Sequence, residues 1–428
     1  MAKLWKNDVL WNAVGSLIYA LASMVLAFAV IRLAGARDGG IFGFGFSTLG
    51  QQFFIVSYFG IRPFHITDMR QEYRFGDYLR TRQLTAGLAV LGAAAFLGVM
   101  LLQGSYDLRR AGILMLLVVY KIIDGYADVY ESELQRQGLL YRTGQSLCFR
   151  TVLSVLVLLG SLLVGGDLLM SCLLADLAQL FGTWAFAVRV LSFCPGEKLN
   201  CQFSSANVFR LLKQTGLLFL SVFLDFYVFS ASKYAVDSGM GSEASGFFNI
   251  LFMPTSFIYL IANFLIRPML TRLAEAYGRG QEKPFRDSCR FMLLSVTGLA
   301  VVITVGALIF GGLGLRIFEW LLGSSYTGQL TAEKWTFVLL ILGGGLYALA
   351  NVQYYILVTM RCQRQIFLGY LLATIAAMLT AGQMVLGGGL CGGAENYVLL
   401  MTLLFLLFSG CVLRAGRQWH KSLHLKEK

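Results

Sequence analysis

The chain is poor in charge, proline and histidine. Of its 428 residues only 14% are Asp, Glu, Lys or Arg, five are proline and three are histidine. Together with 57% hydrophobic residues and a mean hydropathy of +0.68, so little charge excludes a soluble globule, whose surface cannot be covered by so few polar groups. The eight cysteines show no Cys-x-x-Cys spacing. The histidines, His65, His420 and His424, fall outside the apolar runs, in segments expected on the cytoplasmic side. Neither a disulfide framework nor a metal site is expected. A glycine-rich phosphate loop ending in Lys-Ser/Thr is missing, which excludes ATP hydrolysis by the chain itself, and no cofactor is implied. Long loops on one side are missing too: the longest there, about 315–334, reads as a surface-lying turn. Membrane polymerases and glycosyltransferases need a sizeable outer loop with acidic catalytic residues, so an enzyme is not expected.

What the chain does have is apolar runs of about 20 residues, each long enough to cross ~30 Å of hydrocarbon. Twelve are read, near 9–32, 40–61, 83–102, 111–133, 145–165, 170–190, 209–232, 244–266, 290–314, 335–358, 366–387 and 395–413. The first is too long for a signal-peptide core. Counting loops alternately, one side collects most of the 35 Lys and Arg, while the other holds only Arg32, Arg37, Arg109, Arg110, Lys233, Arg316 and Lys334. Positive loops stay cytoplasmic, so both termini are placed inside. This topology also accounts for the net charge of +12 without nucleic acid. Contact of the basic loops with membrane lipids is the accompanying expectation.

Two tripeptides recur at the ends of apolar segments. Ile61-Arg62-Pro63 returns as Ile266-Arg267-Pro268 after the second segment of each half, and Gln135-Arg136-Gln137 returns as Gln363-Arg364-Gln365 after the fourth. A basic residue, Arg32 or Lys233, closes the first segment of each half, and Gly43-Phe44 or Gly246-Phe247 follows. The expected architecture is therefore all-α and polytopic: two pseudo-symmetric six-helix lobes, 1–200 and 201–428, with a short basic tail at 414–428 and a cavity between the lobes. The prolines of the repeated tripeptide are expected to end their helices, and Pro254 to kink or open the eighth.

Ionisable groups within spans are costly and face a partner or a cavity. The fourth span is richest. Lys121, Asp124, Asp128, Ser132 and Gln135 share one helical face. Two readings stay open: an internal Lys121–Asp124 ion pair, or a cavity-lining stripe in which the lysine meets an anion. Arg150 in the fifth span is placed to neutralise Asp128 or Glu131. Further polar seams are Asn12, Ser16, Tyr19 and Ser23 in the first span, and Asp176 and Gln179 in the sixth. The seventh holds Ser221, Asp225 and Ser232 with Lys233 just beyond, the eighth Ser256, Tyr259 and Asn263, and the tenth Tyr347, Asn351 and Tyr354. Spans eleven and twelve, poor in polar groups, read as peripheral.

With Arg32-Leu33-Ala34-Gly35, Tyr58-Phe59-Gly60-Ile61, Ser232-Lys233-Tyr234-Ala235, Gly246-Phe247-Phe248, Arg267-Pro268 and Leu321-Leu322-Gly323, the chain resembles the polysaccharide (O-antigen type) flippases of the multidrug/oligosaccharidyl-lipid/polysaccharide exporter superfamily over nearly its whole length. The resemblance implies a protein of the bacterial cell membrane that moves a polyprenyl-pyrophosphate-linked oligosaccharide to the outer leaflet for capsule or O-antigen synthesis, alongside polysaccharide polymerase machinery. In the related lipid II flippases, cavity arginines on helices 1, 2 and 8 are associated with the pyrophosphate. Here Arg32, Arg62 and Arg267 stand at the ends of those helices, shallower than a central site would want, so Lys121 and Lys233 are the preferred anion contacts. Arg32, Asp124, Asp128, Asp225, Asn351, Tyr259 and Asn263 complete the expected lining. The nearest rival is a cation-coupled multidrug antiporter of the same superfamily, for which Asp124, Asp128, Asp176 and Asp225 are the candidates to exchange H+ or Na+. A major-facilitator carrier is disfavoured, since the loop after the second segment lacks Gly-x-x-x-Asp-Arg.

Overall fold

The computed structural model describes residues 2–68, 72–193 and 200–426, and among these it is helical with no strand. In chain order the helices are α1 (Ala2–Phe44), a π-helical turn (Gly45–Leu49), α2 (Gly50–Tyr58), α3 (Arg62–Thr67), α4 (Phe75–Leu102), α5 (Leu108–Arg136), α6 (Leu140–Leu163), α7 (Leu168–Thr183), a second π turn (Trp184–Val188), α8 (Arg189–Phe193), α9 (Ser205–Met240), α10 (Ser242–Gly278), α11 (Glu282–Leu322), α12 (Gln329–Ala332), α13 (Lys334–Thr359) and α14 (Gln363–Lys426).

Nine helices among the described residues are long and apolar enough to cross a membrane, against the twelve segments expected. Two physical facts reconcile the counts. α1 with 43 residues and α14 with 64 would reach about 65 Å and 96 Å as straight helices, far beyond a bilayer core. Each breaks at a glycine with positive φ, Gly35 (φ 88°) and Gly389 (φ 59°), a conformation other residues rarely adopt. No atom lies within 4 Å of a Cβ built on Gly35, so backbone geometry rather than space demands glycine there. The remaining pass is α5, whose charges hide it from a hydropathy test but whose 29 residues suffice to span.

The repeated tripeptides diverge in structure. Pro63 does not end a helix; it sits in the first turn of α3, where its missing N–H costs nothing. Its counterpart at 268 lies inside α10, which runs unbroken through Pro254 as well. The expectation that both prolines terminate helices is thus corrected. The side chains of Arg267 and Pro268, and all of Arg70, lie outside the described residues.

The chain divides into two compact units, Met1–Phe223 and Leu224–Lys428. The division falls within α9, because the first half of that helix belongs to the packing of unit 1. Leu211 joins a buried cluster with Ile61, Phe75, Tyr78, Val129, Leu134 and Leu191, and Phe219 stacks on Phe59 with ring centroids 4.1 Å apart. In unit 1, α5 is the central helix, packed against α2, α4, α6 and α7. α1 and α6 cross where Gly15 meets Gly144: a Cβ on Gly144 would stand 2.3 Å from the Trp11 carbonyl oxygen. In unit 2 the central helix is α13, packed against α10, α11 and α14 and 72% buried over its apolar window, against 11% for α11.

Candidate functional site

The polar face of α5 is buried as its spacing requires, with Lys121, Asp124, Asp128 and Ser132 all at 6% exposure or less. The direct Lys121–Asp124 ion pair is not formed. Asp124 is taken instead by Arg150 of α6, whose Nη1 donates at 2.5 Å, and by Gln179 of α7, whose Nε2 donates at 2.7 Å. The lysine reaches this carboxylate only through Tyr19 of α1: Lys121 Nζ donates to the Tyr19 hydroxyl at 2.8 Å, and that hydroxyl donates to Asp124 Oδ2 at 3.2 Å. The ammonium also stands 3.8 Å from the centroid of the Phe46 ring. The π turn at Gly45–Leu49 carries Phe46, an irregularity common at functional places in helices.

Asp128 has different partners from those expected. Rather than Arg150, it accepts from Arg62 and from Arg82 Nη2, the latter at 2.9 Å. Arg62 donates also to Gln135 at 2.7 Å, and Arg82 to the Ser57 carbonyl at 2.7 Å. The second guanidinium nitrogen of Arg150 donates to Glu131 at 3.2 Å, which takes Ser146 as well at 2.9 Å. Three carboxylates of α5 therefore face three guanidinium groups. Lys121 is the surplus cation of this network, with no carboxylate within 4 Å among the described residues. Asp128 is bound by two arginines.

Asp176 on α7 is a different case. Buried at 4%, it has no hydrogen-bond partner on either carboxylate oxygen among the described residues, and it borders a small apolar recess lined by Leu26, Leu117, Tyr120 and Leu158.

In unit 2 the predicted residues fall into an aromatic setting. Asp225 Oδ2 accepts from the Tyr347 hydroxyl at 3.0 Å, while Oδ1 is unpartnered among the described residues. Tyr259 packs on Tyr347 with centroids 5.4 Å apart. Asn263 accepts from Tyr355 at 3.1 Å, and its amide donates to the Tyr259 carbonyl; the Asn351 amide is likewise spent on the Tyr347 carbonyl. Lys233, 7% exposed, lies 4.3 Å from the centroid of Phe252 with no carboxylate within 4 Å among the described residues. A chain of ring contacts, Phe252 to Phe229 at 5.1 Å and Phe229 to Tyr347 at 4.9 Å, runs from Lys233 toward Asp225. Arg32 is exposed at the end of the first arm of α1.

Tyr19 and Gln179 were visible as polar seams in the sequence, though not as partners of Asp124. Arg82 and Phe46 were missed. Arg82 counts as a loop charge in any tally, and nothing in local spacing shows that it folds back onto α5. Phe46 is one of 33 phenylalanines.

No protein-family profile matches the chain, and no curated protein matches it by sequence. Solved structures do match. The lipid II flippase MurJ in an inward closed conformation superposes with a TM-score of 0.70 at 12% identity, over 96% of this chain and 90% of that one. The multidrug transporter DinF-BH gives 0.65 at 16% identity over 97% and 96%. An inward-facing multidrug resistance transporter of the MATE family gives 0.63 at 12% identity over 97% and 96%. At such identities the likeness is one of fold: a multi-pass membrane protein with the architecture of this exporter superfamily.

Proposed function

We propose that the chain flips a polyprenyl-pyrophosphate-linked oligosaccharide from the inner to the outer leaflet by alternating access, for the synthesis of a cell-surface polysaccharide. The observation that carries this reading is the state of its two buried lysines. Lys121 and Lys233 are each faced by an aromatic ring, and no carboxylate among the described residues neutralises either. A buried ammonium without a counter-ion is costly, and an anionic ligand offsets that cost when it binds. Pyrophosphate is such a ligand, since crossing hydrocarbon unpaired would be prohibitive for it. The flippase among the structural neighbours acts, by its name, on a lipid-linked substrate. Asp124 and Tyr19 position Lys121 in this reading, and Arg150 keeps Asp124 from claiming the ammonium.

A second reading has its own support. Asp176 and Asp225 are buried carboxylates without a basic partner among the described residues, which is what a cation-coupled multidrug antiporter requires, and DinF-BH is a multidrug transporter by name. In the flippase reading the same two residues serve to couple H+ or Na+ to the cycle. Purified protein reconstituted with a fluorescent polyprenyl-pyrophosphate oligosaccharide separates the two. Protein-dependent exposure in the far leaflet that is lost in Lys121→Ala supports the flippase. No exposure with several glycans, together with cation-coupled efflux of dyes from the same vesicles, supports the antiporter.

A further inference from the structure

α14 leaves the hydrocarbon carrying a stripe that changes character along its length. Leu406, Gly410 and Leu413 fall at i, i+4 and i+7 and continue one face of the helix, with both leucines at least 60% exposed. Arg414, Arg417 and Lys421 follow at the cytoplasmic end, all exposed and with no carboxylate within 4 Å among the described residues. From Arg414 to Lys421 the rise is about 10 Å, close to the depth of a headgroup layer. Gly410, Leu413, Arg414, Arg417, Gln418 and Lys421 line an open recess of about 490 Å³.

The rotation of this segment is set by its other face. Trp419 packs against Tyr277 of α10 and Phe285 of α11, with centroids 5.0 Å apart in each case. Ala415, on the same side as Trp419, is buried, while His420, at i+3 from Arg417 on the edge of the basic stripe, pairs with Glu282 at 2.9 Å. An aromatic clasp therefore turns the basic side chains away from the protein body.

We propose that this face of α14 binds an anionic phospholipid of the cytoplasmic leaflet. The acyl chain lies along Leu406 and Leu413, with Gly410 leaving room beside it, and the phosphodiester meets Arg414, Arg417 and Lys421. Continuity with the lipid-facing leucines selects a phospholipid over an acidic protein, because a protein partner would have to displace acyl chains from the lower half of the stripe. The assignment is independent of what the protein transports.

Native mass spectrometry of the full chain with phosphatidylglycerol or phosphatidylcholine tests it. The wild type should retain phosphatidylglycerol at least tenfold better. Each basic side chain near a membrane surface contributes about fivefold, so the triple variant R414Q/R417Q/K421Q should lose the preference while R417Q alone loses about a fivefold share. K283Q/R286Q/R290Q removes as much charge from the neighbouring α11 and should keep the preference. The proposal fails if the wild type shows no preference, if R417Q and the triple variant match it, or if the α11 control loses as much. Tighter binding of poly-glutamate than of phosphatidylglycerol nanodiscs would reassign the face to an acidic protein.

Discussion

α5 and α13 carry the fourth expected span of each half and are the central helices of their units, yet they stabilise a buried polar face by opposite means. α5 uses full charges. Asp124, Asp128 and Glu131 are matched by arginines delivered from α3, α4 and α6. α13 carries three consecutive buried glycines, Gly343 to Gly345, followed by Tyr347, Asn351 and Gln353; beyond its first turn, where Thr336 donates to Glu333, its polar contacts include neutral hydrogen bonds and, at Asp225, a tyrosine hydroxyl. Glycine lets neighbours approach closely: a Cβ on Gly343 would stand 2.4 Å from the Tyr397 ring. Such close approach is the usual way helices associate in lipid. The comparison teaches where each unit has spare capacity. In unit 1 the charges of α5 are mutually satisfied and one ammonium is left over. In unit 2 buried charges are few, and among the described residues both Asp225 and Lys233 stand without an opposite charge.

The largest expected effect comes from breaking the α5 network. Arg150→Ala leaves Asp124 and Glu131 without their guanidinium, and removing one partner of a buried ion pair costs about 3–5 kcal/mol. Arg150→Ala should therefore lower the thermal unfolding midpoint in detergent sharply, and adding Asp124→Asn with Glu131→Gln should recover most of the loss. No Lys or Arg change within unit 2 should match it. A cost for Lys233→Ala equal to that for Arg150→Ala would break the distinction between paired and spare charges.

The next effect sharpens the distinction by function. Lys121→Met keeps the bulk of the side chain and removes a buried charge that no described carboxylate neutralises, so stability should stay within about 1 kcal/mol of wild type or rise. Flipping in the leaflet assay should nonetheless fall by at least tenfold. Unchanged flipping would remove Lys121 from the site and leave it as a positioning partner of Tyr19. A milder change is expected for Asp225→Asn, which keeps shape and the acceptor for Tyr347. Transport should persist while its dependence on an imposed H+ or Na+ gradient disappears. An unaltered gradient dependence would shift the coupling role to Asp176.

The legibility of these features in the sequence followed the range of the interactions. Segment length is local, so eight of the twelve expected spans each fall on a helix of their own. The two merged pairs part at Gly35 and Gly389, between the segments already assigned. The face of α5 was legible because helical periodicity alone brings Lys121, Asp124, Asp128 and Ser132 into line. Which cation meets which carboxylate was not, because the choice among Lys121, Arg62, Arg82 and Arg150 is made by tertiary packing at separations of 19 to 66 residues. The proline misreading had the same origin. Pro63 and the proline at 268 share a tripeptide, but one begins a helix and the other lies within one, and only the surrounding chain decides.

The smallest expected effect concerns the cytoplasmic end of α5. His65 of α3 is 1% exposed, stacks on Tyr78 with centroids 4.0 Å apart and shares a hydrogen bond with Glu133 at 2.9 Å. Phe75 packs beside it, and Asp128 and Arg136 are the further charges that face it. Burial holds its pKa below the ordinary 6.5, outweighing the pull of Glu133 in the other direction. The unfolded chain then binds the proton more readily than the folded one. The contribution of His65 to stability is fully present above the unfolded value and is lost as pH falls from there toward the lower folded value. Thermal unfolding of wild type and His65→Gln between about pH 7.5 and 5 isolates the contribution of His65 with its partner Glu133, since titrations elsewhere cancel in the difference. The gap between the two proteins should move in favour of His65→Gln as the pH drops below 6.5. A gap that stays constant would show that His65 keeps one protonation state throughout, and a gap moving the other way would mean that Glu133 holds the imidazole charged, extending the ion-pair network of α5 beyond the membrane.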